Sequence, residues 1–174
     1  TTNQREALLP LFEALGEKAE LISENGDFTN ELLPDAYLKS EFLKYSSKML
    51  AWFYSFKDRD REMFRSRYYN FYRRLGQYNY YRDAFDQSKG KVKAYIASND
   101  HSGLSQVGFV AARKAGIPTI YIQHASVSES FPPLQADIAF LDGEDAKKKY
   151  LAAGKSQTEI HLVGSLKYDP YFCL

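Results

Sequence analysis

One cysteine, Cys173, stands in 174 residues. An intramolecular disulfide is excluded, so the fold must rest on its core, and such cysteine usage suits a reducing compartment. Only three histidines are present, at 101, 124 and 161, and none has ligand spacing to another. No metal centre is expected. No apolar run approaches the roughly 18 residues of a bilayer span, and no signal-peptide pattern opens the chain. Walker A, GxGxxG and GxSxG sequences are all missing, which removes the usual signatures of nucleotide cradles and hydrolase elbows. Formal net charge is only +1, so the whole chain gives no electrostatic case for nucleic acid. Repeats and low-complexity tracts are absent too.

Aromatics are abundant instead. Fourteen Tyr and twelve Phe occur, concentrated before residue 90. Charge is also unevenly placed. Residues 1–36 carry two basic and eight acidic groups, whereas residues 57–93 carry eleven basic and five acidic. The near-neutral total therefore hides a basic middle block.

The first third reads as the end of an α/β unit followed by helix. Leu8, Leu11, Phe12 and Leu15 have helical spacing, with Gly16 placed to end the helix and Pro10 expected in its first turn. Lys18–Ser23 has strand character, and Asn25-Gly26-Asp27 is a turn signal. Leu38, Phe42, Tyr45, Met49, Trp52 and Phe56 then share a helical face. Phe64, Tyr68, Phe71, Leu75, Tyr78, Tyr81 and Phe85 form a second such stripe. Lys57–Arg61 either separates two helices or is an exposed part of one. Residues 37–90 are read as a helical elaboration on a single domain spanning 1–174. The arginines beside the second stripe, Arg65, Arg67, Arg73 and Arg74, form either a solvated face or a patch for an anionic membrane or acidic acceptor.

From residue 91 the period changes. Strand-like runs at 91–97, 119–123, 136–141 and 159–163 alternate with helical stretches at 102–115 and 145–153. This pattern predicts a Rossmann-like three-layer α/β domain with a parallel sheet. Ligands of open parallel sheets lie beyond the strand carboxyl ends. Those ends are Asn99-Asp100-His101, Gln123-His124 with Ser126, Asp142-Gly143, and Gly164-Ser165. His124 is the first candidate for proton transfer; a ring satisfied by nearby backbone is the alternative. Asp100 could orient an imidazole, act as a base or bind hydroxyls, or it could simply cap the following helix. Asn99 carries the same two readings. His161, alternating within a strand, reads as structural.

The order of features after residue 91 resembles the N-terminal domain of GT-B-type transferases of bacterial surface polysaccharides. Its carriers are the strand ending in Asn99-Asp100, the helix with Ala111-Ala112-Arg113 closing on Gly116-Ile117-Pro118, and the strand ending in Gln123-His124. Ala136-Asp137 and Val163-Gly164-Ser165 with Lys167-Tyr168-Asp169 complete the series. Capsule and teichoic-acid-type transferases, including CDP-glycerol glycerophosphotransferases, are the relatives implied, with UDP-N-acetylglucosamine 2-epimerases more distant. Ala125 stands where those families carry glycine after the histidine. The resemblance covers roughly 80 residues and implies one half of a GT-B architecture. His124 would face an interdomain cleft, with Asn99, Asp100, His101, Gln123, Ser126, Gly164 and Ser165 lining it.

On this reading no cofactor belongs to the chain itself. A nucleotide-activated donor, an NDP- or CMP-sugar or CDP-glycerol, would bind a second, C-terminal domain absent from these residues. The start at Thr1 and the end at Cys173-Leu174 fit a piece of a longer protein, one expected to give no turnover alone. The expected partners are a saccharide or lipid-linked acceptor and an anionic membrane surface, not nucleic acid. The expected location is cytoplasmic, peripheral at the inner membrane face. A nucleotide-sugar epimerase or hydrolase half-domain, and a non-catalytic module binding membrane or a partner, are the alternatives.

Overall fold

A computed structural model of the chain describes residues 2–19, 35–88, 90–165 and 168. The expected strand over 20–23, the Asn25-Gly26-Asp27 turn, the side chains of Leu38, Phe42, Trp52 and Tyr68, and residues Lys167 and Asp169 lie outside that set.

The first helix, α1, is Thr2–Leu15. Pro10 sits in its interior rather than its first turn, because the helix begins well before the apolar stripe does. The Pro10 ring removes one backbone N–H from the ladder, a cost the neighbouring turns must carry. Gly16 follows with φ +55°, the left-handed geometry that ends helices, and opens a short 3₁₀ turn over Gly16–Lys18.

Two long helices follow, α2 (Asp35–Ser55) and α3 (Asp58–Gln87). Only Phe56 and Lys57 lie between them; the rest of the polar stretch, Asp58 to Arg61, is the first turn of α3. Their joint is aromatic: Phe64 meets Phe53 at 6.3 Å, Phe56 at 5.5 Å and Phe71 at 6.3 Å between ring centroids. Arg61 closes the corner by donating to the carbonyls of Phe53 and Phe56. Met49 is buried on the α2 side of this joint.

The sheet is fully parallel, in the order β1 (Tyr95–Ala97), β2 (Thr119–Ile122), β3 (Ile138–Leu141), β4 (Glu159–Leu162). Its helices are α4 (Gly103–Lys114) and α5 (Glu144–Ala153). The parallel α/β architecture expected from the alternating pattern is present, with the first and third strands shorter than expected. β1 begins at Tyr95, not Lys91, because its first ladder bond runs from the Tyr95 N–H to the Pro118 carbonyl. The partner strand starts only after the Gly116-Ile117-Pro118 turn, so residues 91–94 have nothing to pair with.

One sheet face buries Ala97, Tyr121, Ala139 and Leu141 against Phe109 of α4 and Ala146 and Tyr150 of α5. Crossovers that always step to the next strand wind their helices onto one face. α3 lies beside α4 there: Tyr81 and Phe85 pack with Ala111, Ala112 and Ile117, and both touch the ring of Tyr95. Burial pushes the Tyr95 phenol up to about 12, with its hydrogen bond to Tyr81 pulling the other way. At the opposite end of α4, the Arg74 guanidinium lies on the backbone of Gly103. α3 thus runs alongside α4, and residues 58–73 reach past the carboxyl edge of the sheet by roughly 24 Å at 1.5 Å per residue. Near the start of α1, the carbonyl of Gln4 accepts from the Ser98 hydroxyl at 3.2 Å. That bond holds the first turn of α1 to the carboxyl end of β1.

Candidate functional site

The carboxyl end of β1 is a stapled turn. Asn99 Oδ1 accepts from the N–H of His101 at 3.0 Å and of Ser102 at 2.7 Å. The Ser102 hydroxyl in turn accepts from the N–H of Ser105, capping α4. Capping is therefore done by Ser102, while Asn99 staples the turn that precedes it. Asp100 is not a cap, and its carboxylate is left for other work.

Asp100 is wholly buried. Its Oδ1 lies 3.1 Å from His101 Nδ1, while Oδ2 makes no hydrogen bond. The carboxylate acts electrostatically on the hydroxyls of Tyr121 and Tyr150, and the Tyr150 phenol is within hydrogen-bonding reach of it. Both phenols are held protonated, first by burial and then by neighbouring negative charge. The His101 ring points outward and packs on Phe131 at 4.2 Å between centroids.

β2 ends on Gln123 and His124, and the two have different jobs. Gln123 is buried; its amide donates to the Ala125 carbonyl at 2.9 Å and its Oε1 accepts from the Asp142 N–H at 2.9 Å. One end of the side chain thus braces the loop after β2, and the other ties that loop to the end of β3. His124 lies on the other sheet face, the one that Ser98 shares in the β1–β2 register. Its Nδ1 is buried without a hydrogen-bond partner. Burial lowers the basicity of the ring; the Ser98 backbone favours the charged form but does not outweigh that loss of solvation. His124 is therefore a neutral imidazole at physiological pH. His101 and Asp100 both act on it electrostatically, so the three side chains lie within electrostatic reach of one another at the carboxyl edge.

The remaining candidates are spread more widely. Ser126 is exposed on the loop after β2. Gly164, at φ +77°, and Ser165 follow β4. Because β3 lies between β2 and β4, they stand about 10 Å along the sheet edge from His124, two strand spacings away. His161 pairs with Glu159 at 2.9 Å and stacks on Phe140, a structural role on an edge strand. Among the described residues no group of three His, Cys, Asp or Glu side chains could hold a metal ion.

The four arginines divide. Arg65 and Arg67 are exposed on the projecting part of α3. Arg73 and Arg74 are half-buried, and Arg74 Nη1 donates to Gln77 Oε1 at 2.6 Å. Arg74 thus belongs to the α3–α4 joint more than to an outer patch.

Phe131, Tyr121 and Tyr150 were not singled out as site residues by sequence. Phe131 carried one clue, an aromatic ring placed just before Pro132-Pro133 in an otherwise polar loop. The tyrosines carried none, since each sits at an ordinary core position of its own element. No protein-family model matches the chain, and no curated protein or solved structure matches it significantly.

Proposed function

We propose that this chain is the acceptor-side half of a GT-B-type glycosyl- or glycerophosphotransferase of bacterial surface polysaccharide. The observation that supports it is the group formed by His101, His124 and the buried Asp100 at the carboxyl edge of a parallel sheet. Acceptor attack on an activated donor needs a positioned hydroxyl and a base within reach of its proton. An imidazole at a rigid strand end meets that need, and Gln123 keeps the edge in shape. A nucleotide-activated donor would come from the second domain that the resemblance implies.

The test is transfer from labelled UDP-sugars, CMP-sugars and CDP-glycerol to saccharide acceptors by the natural protein that contains this chain. Replacing both imidazoles, His101→Ala with His124→Ala, is expected to lower kcat by about 10²–10⁴-fold, the usual worth of general base catalysis. A double variant that transfers at the parent rate would remove the site. The 174-residue chain alone is expected to be inert with every donor.

Peripheral contact with an anionic membrane is a second element of the proposal. It is favoured by α2, where Leu43, Leu50 and Tyr54 are 78%, 59% and 74% exposed along one face. Lys44 and Lys48 flank that face, and exposed Arg65 and Arg67 stand on the partner helix. An apolar stripe with basic flanks suits an interfacial helix. No helix among the described residues is long and apolar enough to cross a membrane.

A further inference from the structure

We infer that His101, rather than His124, takes the acceptor proton, and that Asp100 is its positioning residue, the two forming a carboxylate–imidazole dyad on one turn. The inference rests on the transferase reading above.

The turn itself sorts the two residues. With the N–H groups of His101 and Ser102 tied to the Asn99 side chain, Asp100 is directed inward and His101 outward; their side chains are 0% and 34% exposed. Asp100 Oδ1 is placed to accept from Nδ1, at 3.1 Å. A carboxylate in that position fixes the proton on Nδ1 and leaves the Nε2 lone pair free to accept. The Phe131 ring at 4.2 Å holds the imidazole from one face, so the rotamer is set by two independent contacts.

Asp100 Oδ2 supports the same assignment. A wholly buried carboxylate whose second oxygen has only the Tyr150 phenol, itself shared with Tyr121, to lean on is costly. A pair that served only to brace the turn would gain nothing from it. Negative charge held beside an imidazole becomes favourable when that imidazole gains a proton. The other groups facing the dyad do not compete for this role: Tyr121 from β2 and Tyr150 from α5 stay protonated, and His124 is neutral. His124 loses basicity through burial, which suits it to donate or accept a hydrogen bond and handicaps it as a base.

In the step itself, the acceptor O–H bond breaks and its proton moves to His101 Nε2. The freed electron pair forms the new bond to the electrophilic carbon or phosphorus of the nucleotide-activated donor. The bond from that atom to the nucleotide phosphate breaks, and its electron pair departs with the phosphate. The imidazolium, paired with Asp100, then returns the proton to solvent or to the departing phosphate.

Two measurements test the dyad. Nitrogen-15 NMR of the 174-residue chain at pH 8 is expected to find His101 as the Nδ1–H tautomer, and Asp100→Ala is expected to move it toward Nε2–H. In the natural protein, Asp100→Asn should lower kcat by about 10²–10³-fold with little change in acceptor KM, and His101→Gln by about 10³-fold. His101→Gln should also erase the acidic limb of the pH–rate profile, whereas His124→Gln should weaken turnover and keep that limb. An Nε2–H tautomer in the parent chain, or a limb lost with His124 and kept without His101, overturns the inference. The Nδ1–H tautomer without transfer from any donor would overturn the transferase reading, and the proton role with it, while leaving the hydrogen-bonded pair in place.

Discussion

The Tyr150 hydroxyl donates to the hydroxyl of Tyr121 at 3.1 Å, across the interface between α5 and β2, where both side chains are almost fully buried. The bond joins α5 to β2 inside the core of the sheet's helix-covered face. Tyr150→Phe keeps the ring and removes the donor. It is expected to cost about 1 kcal/mol, the net worth of one such bond plus the loss of a partner for Tyr121. Urea unfolding of the variant beside the parent measures it; an unchanged midpoint would refute the role.

Two glycines of α4 should respond differently to alanine. A Cβ on Gly108 would collide with the phenol of Tyr95, which is wedged among Tyr81, Phe85 and Phe109 and has little room to move. Gly108→Ala is expected to destabilise by about 1–3 kcal/mol, as overpacking does. On Gly103 the same Cβ meets only the far end of Arg74, a flexible side chain. Gly103→Ala should cost less than Gly108→Ala in thermal melts, and equal costs would contradict the packing described.

Thr119 is fully buried and forms a clamp with Asp137. Its hydroxyl donates to Asp137 Oδ2 at 2.7 Å and accepts from the Asp137 N–H at 2.9 Å. Thr119→Val has the same shape without the hydroxyl. The expected loss is about 1–2 kcal/mol, with faster amide exchange at Asp137. Because the Asp137 N–H also donates to the Thr119 carbonyl at 3.1 Å, the decisive result is stability: an unchanged urea midpoint would rule the clamp out.

His124 makes stability sensitive to acid. Its folded-state pKa lies below the unfolded value, because burial disfavours the charged ring. The stabilisation is complete above the unfolded pKa, near 6.5, and is lost as pH falls from there toward the folded value. The unfolded chain binds more protons in that window, so stability must drop with pH. The urea midpoint should therefore fall between pH 7 and pH 5.5, and by less in His124→Gln. Equal slopes in the two proteins would show that His124 is not the group responsible.

Membrane attachment should depend on the outer arginines of α3 and the apolar face of α2. Arg65→Glu with Arg67→Glu, and separately Leu43→Ser with Leu50→Ser, are each expected to lower co-sedimentation with phosphatidylglycerol vesicles by about tenfold, since each basic residue near such a surface contributes about 1 kcal/mol. Neutral vesicles should bind weakly throughout. Undiminished binding by both pairs would remove the membrane element of the proposal.

Much of the α/β framework was legible because its punctuation is local. Gly116-Ile117-Pro118 ends α4 and starts β2, Gly154 ends α5, and β-branched runs mark the strands between. Pro10 misled because proline favours a first turn, whereas α1 starts eight residues ahead of it and tolerates the lost bond. The site was legible as a set of strand ends and not as roles. Whether Asp100 or Ser102 caps a helix depends on which side chain the turn directs inward. That choice is made by Asn99, whose two hydrogen bonds cannot be read from composition or period. Gln123 was equally opaque, because its second partner is an N–H nineteen residues away.

The order of the strands also governs how the sheet is acquired. Each strand pairs with the next one along the chain: Tyr95 with Thr119, Tyr121 with Ala139, and Ala139 with Ile160. Every pairing therefore closes a loop of about two dozen residues or fewer, which keeps the entropy of closure low for a parallel sheet. No strand needs to await a distant partner, so pairing can proceed stepwise from β1 toward β4 as the polypeptide emerges during synthesis. The Ser98–Gln4 bond spans 94 residues, a far longer closure, and it fastens α1 and not the strand pairs.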